Sequence, residues 1–135
     1  MKILLDTHVL IWLHTDIYKL SDFAKNLILN PANEIYYSSI NIWETQIKFL
    51  NHPEEFTISG EELNLLSIKA NLNCLNLEPK HIFALNSLHY DESALKPHKD
   101  PFDKILLCQA KIENMKFLTH DSLIPNYNES CIIHI

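Results

Sequence analysis

The sequence contains no arginine and only one glycine among its 135 residues. Its eleven basic residues are all lysines and face seventeen acidic residues, which gives a formal net charge of −6. The absence of arginine excludes the bidentate guanidinium contacts by which many proteins bind phosphates. The negative charge argues against nucleic-acid binding through a basic surface. A protein of this charge needs metal ions, or a groove between two subunits, to attract a polyanion.

Cysteines and long apolar runs are also scarce. Cys74, Cys108 and Cys131 lie far apart, and no two of them form a C-x-x-C pair. This pattern argues against a disulfide framework or a thiolate zinc site, and we expect the three side chains to be small buried hydrophobes. No apolar run approaches the ~20 residues of a membrane span, and the N-terminus lacks a signal-peptide pattern. We therefore expect a cytoplasmic protein without a membrane-bound part, and a single domain over residues 1–135.

Short apolar segments alternate with helical patterns along the chain. Strands are predicted at residues 3–5, 35–37, 75–77, 117–119 and 131–135. Helices are predicted at residues 7–13, 21–30, 39–50, 61–72, 79–88 and 102–114. This alternation favours βαβ units, and short apolar strands are typical of a sheet covered on both faces. The predicted fold class is therefore α/β, a three-layer α/β/α sandwich with a mostly parallel central sheet. Because glycine is so rare, Asn30, Asn51 and Asn114 are predicted to take left-handed or helix-ending positions.

Four acidic residues lie where predicted strands end or predicted helices begin. They are Asp6, Glu44, Asp103 and Asp121. Ligands of open parallel sheets bind outside the carboxyl ends of the strands, so we expect these side chains to converge there. Carboxylates brought together repel one another unless a cation lies among them. The pattern therefore predicts a site for a hard divalent cation, Mg²⁺ or Mn²⁺.

Each acid also has a structural explanation. Asp6 and Asp121 could cap the helices that follow them, and Glu44 could pair with Lys48 one helical turn later. Both explanations remain open for these residues.

The segment from Asp100 to Asp103 has the pattern of a helix start, with proline at the first helical position. Capping is the favoured explanation for Asp100. Asp103 differs, because it falls among the apolar residues of the helix, where a carboxylate needs a partner. No partner is obvious in the local sequence.

Aromatic residues and one histidine remain ambiguous. Trp12, Trp43 and Phe102 are expected in the core, although an exposed aromatic ring near the acids could stack on a base. His98 lies beside Lys99 in a polar loop and could contact a phosphate. A solvated loop histidine is the more ordinary interpretation, and we favour it.

Several motifs, in this order, resemble a PIN domain, specifically the VapC-type toxins of bacterial toxin–antitoxin pairs. They are Leu4-Leu5-Asp6-Thr7-His8-Val9-Leu10, Ser39 with Ile42-Trp43-Glu44, His98-Lys99-Asp100-Pro101-Phe102-Asp103-Lys104, Gln109-Ala110 and Leu118-Thr119-His120-Asp121. Each motif is weak alone, but their order and spacing along nearly the whole chain are specific. The resemblance implies a Mg²⁺- or Mn²⁺-dependent ribonuclease that is silenced by a small antitoxin protein and usually forms a homodimer.

The resemblance also implies roles for individual residues. The acids expected to bind one or two metal ions and to catalyse are Asp6, Glu44, Asp103 and Asp121. The polar residues expected to support them are Thr7, Asp100 and Thr119. The possible contacts to RNA are His98, Lys99 and Lys104. Lys104 stands where such proteins commonly have arginine, which weakens the case for a bidentate phosphate contact there.

The preferred prediction is an endoribonuclease in which Glu44 or Asp121 orients the attacking water. Two alternatives remain. A phospho-acceptor signalling domain is also a small Mg²⁺-binding α/β protein. That class resembles a pattern with two adjacent acids after the first strand, whereas here Thr7 follows Asp6. A catalytically silent RNA-binding module of the same fold is the second alternative, and the complete set of acids argues against it.

Overall fold

The computed structural model describes all 135 residues as an alternation of five strands and six helices. The strands are β1 (Lys2–Leu5), β2 (Glu34–Ser38), β3 (Asn73–Leu75), β4 (Lys116–Thr119) and β5 (Ile132–His134). The helices are α1 (Thr7–Thr15), α2 (Asp22–Leu29), α3 (Ser39–Asn51), α4 (Gly60–Lys69), α5 (Pro79–Phe83) and α6 (Pro101–Ile112). None of these helices combines the length and hydropathy that crossing a membrane requires.

All neighbouring strands pair in parallel in the order β3-β2-β1-β4-β5, which confirms the predicted mostly parallel sheet. The strands β2 and β3 lie on one side of β1, and β4 and β5 lie on its other side. The strand order therefore reverses at β1 and β4, which is where open α/β sheets bind their ligands. Receiver-like signalling domains have the order 2-1-3-4-5, so the topology disfavours that alternative.

Hydrophobic clusters cover both faces of the sheet. Successive residues of a strand point to opposite faces, and β1 follows this rule. Ile3 and Leu5 belong to one cluster with Val9 and Leu63, whereas Leu4 belongs to the other with Leu106. The three-layer α/β/α arrangement is therefore confirmed, with helices on both sides of a central strand whose Ile3–Leu5 segment is fully buried.

Most element boundaries differ from the prediction by one to three residues, and two elements differ in position or helix type. The third strand lies at Asn73–Leu75 rather than at residues 75–77, because its pairing with β2 (Tyr36 with Asn73, Ser38 with Leu75) sets its position. The helix predicted at residues 79–88 is an α-helix only as far as Phe83 and continues as a 3₁₀ segment, Ala84–Ser87.

The left-handed positions are occupied by asparagines, but only partly by the predicted ones. Asn71, Asn114 and Asn128 have φ values of 59°, 55° and 54°. The prediction for Asn114 is confirmed. Asn30 is the C-cap of α2, as predicted, although its φ of −67° is not left-handed. Asn51 is the last helical residue of α3, whose C-cap is His52. The helices α2 and α3 end on residues with negative φ instead.

The inward face of α3 is polar rather than apolar. Its buried residues are Ile40, Asn41, Glu44 and Thr45, whereas Trp43 is 56% exposed. The expectation of a core position for Trp43 was therefore wrong, because the helix is rotated so that Asn41 and Glu44 point inward. Trp12 and Phe102 are partly buried.

The three cysteines do not share one environment. Cys108 is buried as predicted, and Cys131 is partly buried. Cys74 is exposed, so the prediction was wrong there; it lies on β3, an edge strand of the sheet.

Candidate active site at the carboxyl edge of the sheet

A cleft of about 310 Å³ opens beyond the carboxyl ends of the central strands. Its lining residues are Asp6, His8, Trp12, Glu44, Lys48, Asp100, Asp103, His120 and Asp121. The cleft thus brings together all four acids singled out in the sequence, and Asp100 in addition. Only one of the nine lining residues is hydrophobic, which suits charged ligands rather than an apolar one.

Asp6 is held by two donors at the end of β1. Its Oδ1 accepts a hydrogen bond of 2.7 Å from the backbone N–H of Thr7, and its Oδ2 accepts one of 2.5 Å from the Thr119 hydroxyl. Capping and membership of the cleft therefore coexist in this residue. Burial and the nearby charge of Asp103 raise the pKa of Asp6 well above its usual value, so an ionised Asp6 favours a cation nearby.

Thr7 and Lys48 fix the carboxylate of Glu44, which is 2% exposed. The Thr7 hydroxyl donates to Oε1 of Glu44 at 2.6 Å and accepts from the amide of Asn41 at 3.0 Å. The ammonium group of Lys48 lies 2.5 Å from Oε2. The ion pair that offered a structural explanation for Glu44 is therefore present inside the cleft.

His98 is the partner that the local sequence did not reveal for Asp103. Its Nε2 lies 3.3 Å from Oδ2 of Asp103, and its Nδ1 lies 2.6 Å from the hydroxyl oxygen of Tyr127. Burial raises the pKa of Tyr127 to about 12. The Asp103 carboxylate can only accept, so Nε2–H of His98 donates to it, and Nδ1 of the neutral ring then accepts a hydrogen bond from the Tyr127 hydroxyl.

The expectation of a solvated His98 was therefore wrong, since the residue is 7% exposed and both ring nitrogens are engaged. The same engagement argues against a direct contact between His98 and RNA. Lys99 is exposed and Lys104 is partly exposed, and neither lines the acidic cleft. Burial raises the pKa of Asp103 despite the hydrogen bond from His98, and the charges of Asp100 and Asp121 add to this rise.

Asp100 and Asp121 each have one carboxylate oxygen fixed by backbone groups. Oδ1 of Asp100 accepts from the N–H groups of Phe102 and Asp103, as expected of a helix cap. Oδ1 of Asp121 accepts from Leu123 at 2.7 Å, and the N–H of Asp121 donates to the Thr119 hydroxyl at 3.0 Å. In both residues Oδ2 has no intramolecular hydrogen bond.

The donor set fits a hard divalent cation. Ligand atoms of His98, Asp103 and Asp121 lie within 4.8 Å of one another. Because His98 donates from Nε2, it orients Asp103 and leaves the carboxylate oxygens as ligands, the donors that Mg²⁺ and Mn²⁺ prefer.

A second cluster with metal-like spacing has a different chemistry. Its members are Glu78, His81 and Glu113. Nδ1 of His81 accepts from the backbone N–H of Glu78, so Nε2 carries the proton and donates to Glu113 at 3.0 Å. Lys80 neutralises the same carboxylate at 2.9 Å. This cluster is a tether between the start of α5 and the end of α6.

Comparisons with known proteins agree with this fold. The family model described as PIN domain matches residues 3–129. VapBC2 from Rickettsia felis, bound to a DNA fragment from its promoter, is similar at 18% identity with a TM-score of 0.67, covering 100% of this chain and 98% of that one. DNA-bound VapBC from Salmonella typhimurium is similar at 16% identity and a TM-score of 0.63, covering 99% of this chain and 98% of that one. A toxin–antitoxin complex from Klebsiella pneumoniae is similar at 19% identity and a TM-score of 0.56, covering 98% of this chain and 99% of that one. No curated protein matches the chain in sequence.

Proposed function

Because the chain belongs to the PIN domain family, we propose that it is a metal-dependent endoribonuclease, the VapC-type toxin of a toxin–antitoxin pair. The observation that carries the proposal is the convergence of Asp6, Glu44, Asp103 and Asp121 on one cleft. The similar structures from three bacteria, which are toxin–antitoxin or VapBC complexes, support the toxin role.

The four acids would hold one or two Mg²⁺ or Mn²⁺ ions. When bound, such ions activate water for attack on a phosphodiester and stabilise the leaving oxygen. Two divalent ions would also add about four positive charges to a protein whose net charge is −6. This gain offsets the electrostatic objection to an RNA substrate.

The polar neighbours of the acids provide the preorganisation that catalysis requires. Thr119 holds Asp6 and Asp121 in one arrangement, because its hydroxyl donates to the first and accepts from the backbone of the second. His98 orients Asp103, and Thr7 orients Glu44. Either Glu44 or Asp121 orients the attacking water and accepts its proton at a carboxylate oxygen.

A small antitoxin protein is the proposed partner. The chain exposes apolar side chains around a groove of about 380 Å³, lined by Ile40, Trp43, Leu77, Ile82, Pro101, Phe102 and Ile105. Exposed apolar patches of this kind favour protein–protein contact. Pro101 follows Asp100, which lines the acidic cleft, so a segment bound in the groove would lie beside the acids and could obstruct RNA. We also expect the free toxin to be a homodimer.

The nuclease proposal is tested with purified protein and RNA. Cleavage should require Mg²⁺ or Mn²⁺ and stop with EDTA, and Asp6→Asn and Asp103→Asn should be inactive. Glu92→Gln, an exposed loop substitution, serves as the matched control and should retain full activity. Full activity of Asp103→Asn would refute the site assignment, and binding of RNA without cleavage would favour the silent module.

The antitoxin proposal is tested with the product of a short open reading frame immediately upstream. Co-expression should give a complex in which RNA cleavage is suppressed. Trp43→Glu should weaken the complex and leave cleavage by the free toxin intact, whereas Phe23→Glu, an equally exposed apolar site on α2, should change neither. Light scattering of free Trp43→Glu reports whether the same surface forms the homodimer instead.

A further inference from the structure

A second groove, of about 300 Å³, meets the acidic cleft at His8 and Trp12, which line both. Its apolar residues are Ile11, Trp12, Phe56 and Ile58, and its polar residues are His8, Thr15, Asp16, Lys19, Glu55 and Thr57. Four of the ten lining residues are hydrophobic, so the groove offers both apolar and polar contacts to a ligand. The volume lies at the lower end of the roughly 300–1,000 Å³ usual for such sites, which suits one planar ring system.

Aromatic rings line the junction between the groove and the acids. His8 and Trp12 are four residues apart on α1 and therefore share one face of the helix, with ring centroids 5.9 Å apart. The ring of Phe56 lies 5.9 Å from His8, and the ring of His120 lies 5.1 Å from Trp12. His120 directly precedes Asp121, so the aromatic wall reaches the acids themselves.

Trp12 is not an ordinary core residue. The neighbouring Val9 and Leu10 of the same helix are fully buried, whereas Trp12 is only partly buried and forms part of the wall of both cavities. A large ring left partly exposed between two clefts is available to a planar ligand.

Lysine side chains lie near aromatic rings along the path, and the groove also contains the acids Asp16 and Glu55. The ammonium group of Lys19 lies 5.9 Å from the centroid of the Trp12 ring, and that of Lys48 lies 5.3 Å from the Phe56 ring. One lysine lines the groove and the other lines the acidic cleft. Lys48 is ion-paired with Glu44, whereas Lys19 forms no ion pair, so Lys19 is the cation available to a phosphate. Aromatic stacking combined with nearby cations is how proteins bind single-stranded nucleic acids.

We propose that this groove is a nucleobase subsite for single-stranded RNA, in which one base next to the scissile phosphate stacks on Trp12 beside His8. Lys19 then lies near the adjoining phosphate. The inference rests on the proposed nuclease function and deepens it, because it assigns a binding position to one base beside the proposed catalytic acids. A duplex does not fit, since its bases are stacked on one another and must be extruded before they can enter a pocket.

Tryptophan fluorescence tests the subsite without requiring cleavage. The chain has two tryptophans, so Trp43→Phe leaves Trp12 as the only reporter, and Trp12→Phe leaves Trp43 as the matched control. The probe is a short single-stranded oligoadenylate, added to Asp103→Asn versions of both proteins in Mg²⁺ buffer to prevent turnover. We expect quenching of the Trp12 emission and no change of the Trp43 emission.

An abasic probe separates stacking from simple destabilisation of the fold. The oligonucleotide of the same length without bases should bind Trp43→Phe about 5- to 100-fold more weakly than oligoadenylate, a ratio that corresponds to the stacking of one base. Trp12→Ala should lose this discrimination, and Trp12→Phe should keep most of it. A variant damaged only in its fold would bind both probes less well but would keep their ratio.

The outcomes distinguish this proposal from the nuclease proposal. Base-dependent quenching of Trp12 in a protein that never cleaves RNA would support the subsite and refute the nuclease. Cleavage that is insensitive to Trp12→Ala, binding that leaves the Trp12 emission unchanged, or no binding of oligoadenylate would overturn the subsite.

Discussion

The hydroxyl of Thr119 donates a 2.5 Å hydrogen bond to Oδ2 of Asp6, across 113 residues of sequence. The contact arises because β1 and β4 pair in parallel with Leu5 opposite Leu118, so the residues that follow these two positions are neighbours. The hydroxyl oxygen of Thr119 also accepts a hydrogen bond from the backbone N–H of Asp121. One hydroxyl group therefore sets the relative position of two acids at the point where the strand order reverses.

The first prediction concerns this hydroxyl. Thr119→Val keeps the shape of the side chain but removes the donor to Asp6. We expect the metal-free protein to lose roughly 1.5–3 kcal/mol of unfolding free energy at neutral pH, as is usual for a hydrogen bond to a charged group. The affinity for Mg²⁺ should fall about 10- to 100-fold, because a group that orients a ligand is lost. Urea unfolding in EDTA and calorimetric Mg²⁺ titration measure the two effects.

Thr45 provides the control for this substitution. It is also a buried threonine, but its hydroxyl has no hydrogen-bond partner. Thr45→Val should therefore leave stability unchanged or raise it, because it removes an unsatisfied polar group. Equal losses in Thr45→Val and Thr119→Val would show that the hydroxyl of Thr119 has no special role.

The second prediction concerns the charge of Asp6. Burial and the charge of Asp103 raise its pKa in the folded protein above the ordinary value of 3.8. Below pH 3.8 Asp6 is protonated in both the folded and unfolded states, so its raised pKa does not lower the free energy of unfolding there. As the pH increases through the raised pKa, the folded state must ionise a disfavoured carboxylate, and stability falls.

Asp6→Asn removes this cost and keeps a good helix cap. In EDTA, the variant should therefore be more stable than the wild type at neutral pH, and its advantage should shrink toward about pH 4, the ordinary value of the carboxyl group. Thermal unfolding from pH 4 to pH 8 tests this, with the exposed Glu92→Gln as the control. A wild type that is more stable at every pH would contradict the prediction.

The fold followed from the sequence because its signals are local. The apolar segment at Ile3–Leu5, the helix start at Asp100 and Pro101 and the alternation of strands with helices each depend on neighbouring residues. The orientation of α3 did not follow, because Asn41 and Glu44 point inward to meet groups on β1 and α1. The spacing of apolar residues cannot identify a helix face whose buried residues are polar and hydrogen-bonded.

The acids of the candidate site were also visible in the sequence, since Asp6 and Asp121 follow strands, Asp103 lies in the first turn of α6, and Glu44 lies in the helix that follows β2. Their partners were not visible. His98 meets Asp103 only because the loop before α6 folds back, and Tyr127 reaches His98 from 29 residues away. No local pattern marks such a contact. The buried position of Asp103 in an apolar sector showed that a partner was needed, but not which residue provides it.

The third prediction concerns Tyr127 as the anchor of His98. Tyr127→Phe keeps the ring but removes the donor to Nδ1, so a buried nitrogen loses its partner. We expect a loss of roughly 1–3 kcal/mol in unfolding free energy. We also expect Mg²⁺ affinity to fall about 10- to 100-fold, since Asp103 is held less firmly.

Tyr90→Phe is the matched control, because Tyr90 belongs to the same aromatic cluster but its hydroxyl donates to the carbonyl of Lys96. The control should leave Mg²⁺ affinity unchanged. A fall of equal size in both variants would mean that the aromatic packing, and not the hydrogen bond to His98, positions Asp103.

The fourth prediction compares two lysine–carboxylate pairs that differ in burial. Lys48 pairs with Glu44, whose side chain is 2% exposed, and Lys111 pairs with Glu129, whose side chain is 20% exposed. Replacing either lysine with methionine keeps most of the aliphatic packing. Lys48→Met leaves a buried charge without a counter-ion, which costs up to 3–5 kcal/mol in a fully buried pair.

Because the side chain of Lys48 is itself 26% exposed, we expect a smaller loss for Lys48→Met, about 1–3 kcal/mol in EDTA at neutral pH. Lys111→Met should cost less than ~1 kcal/mol. Saturating Mg²⁺ should restore much of the stability of Lys48→Met, because a cation beside Glu44 replaces the missing charge, and it should not reduce the loss in Lys111→Met. Urea unfolding with EDTA and with Mg²⁺ measures the loss of stability of each variant under both conditions. If Mg²⁺ stabilised both variants only as much as the wild type, Glu44 would not belong to the metal site.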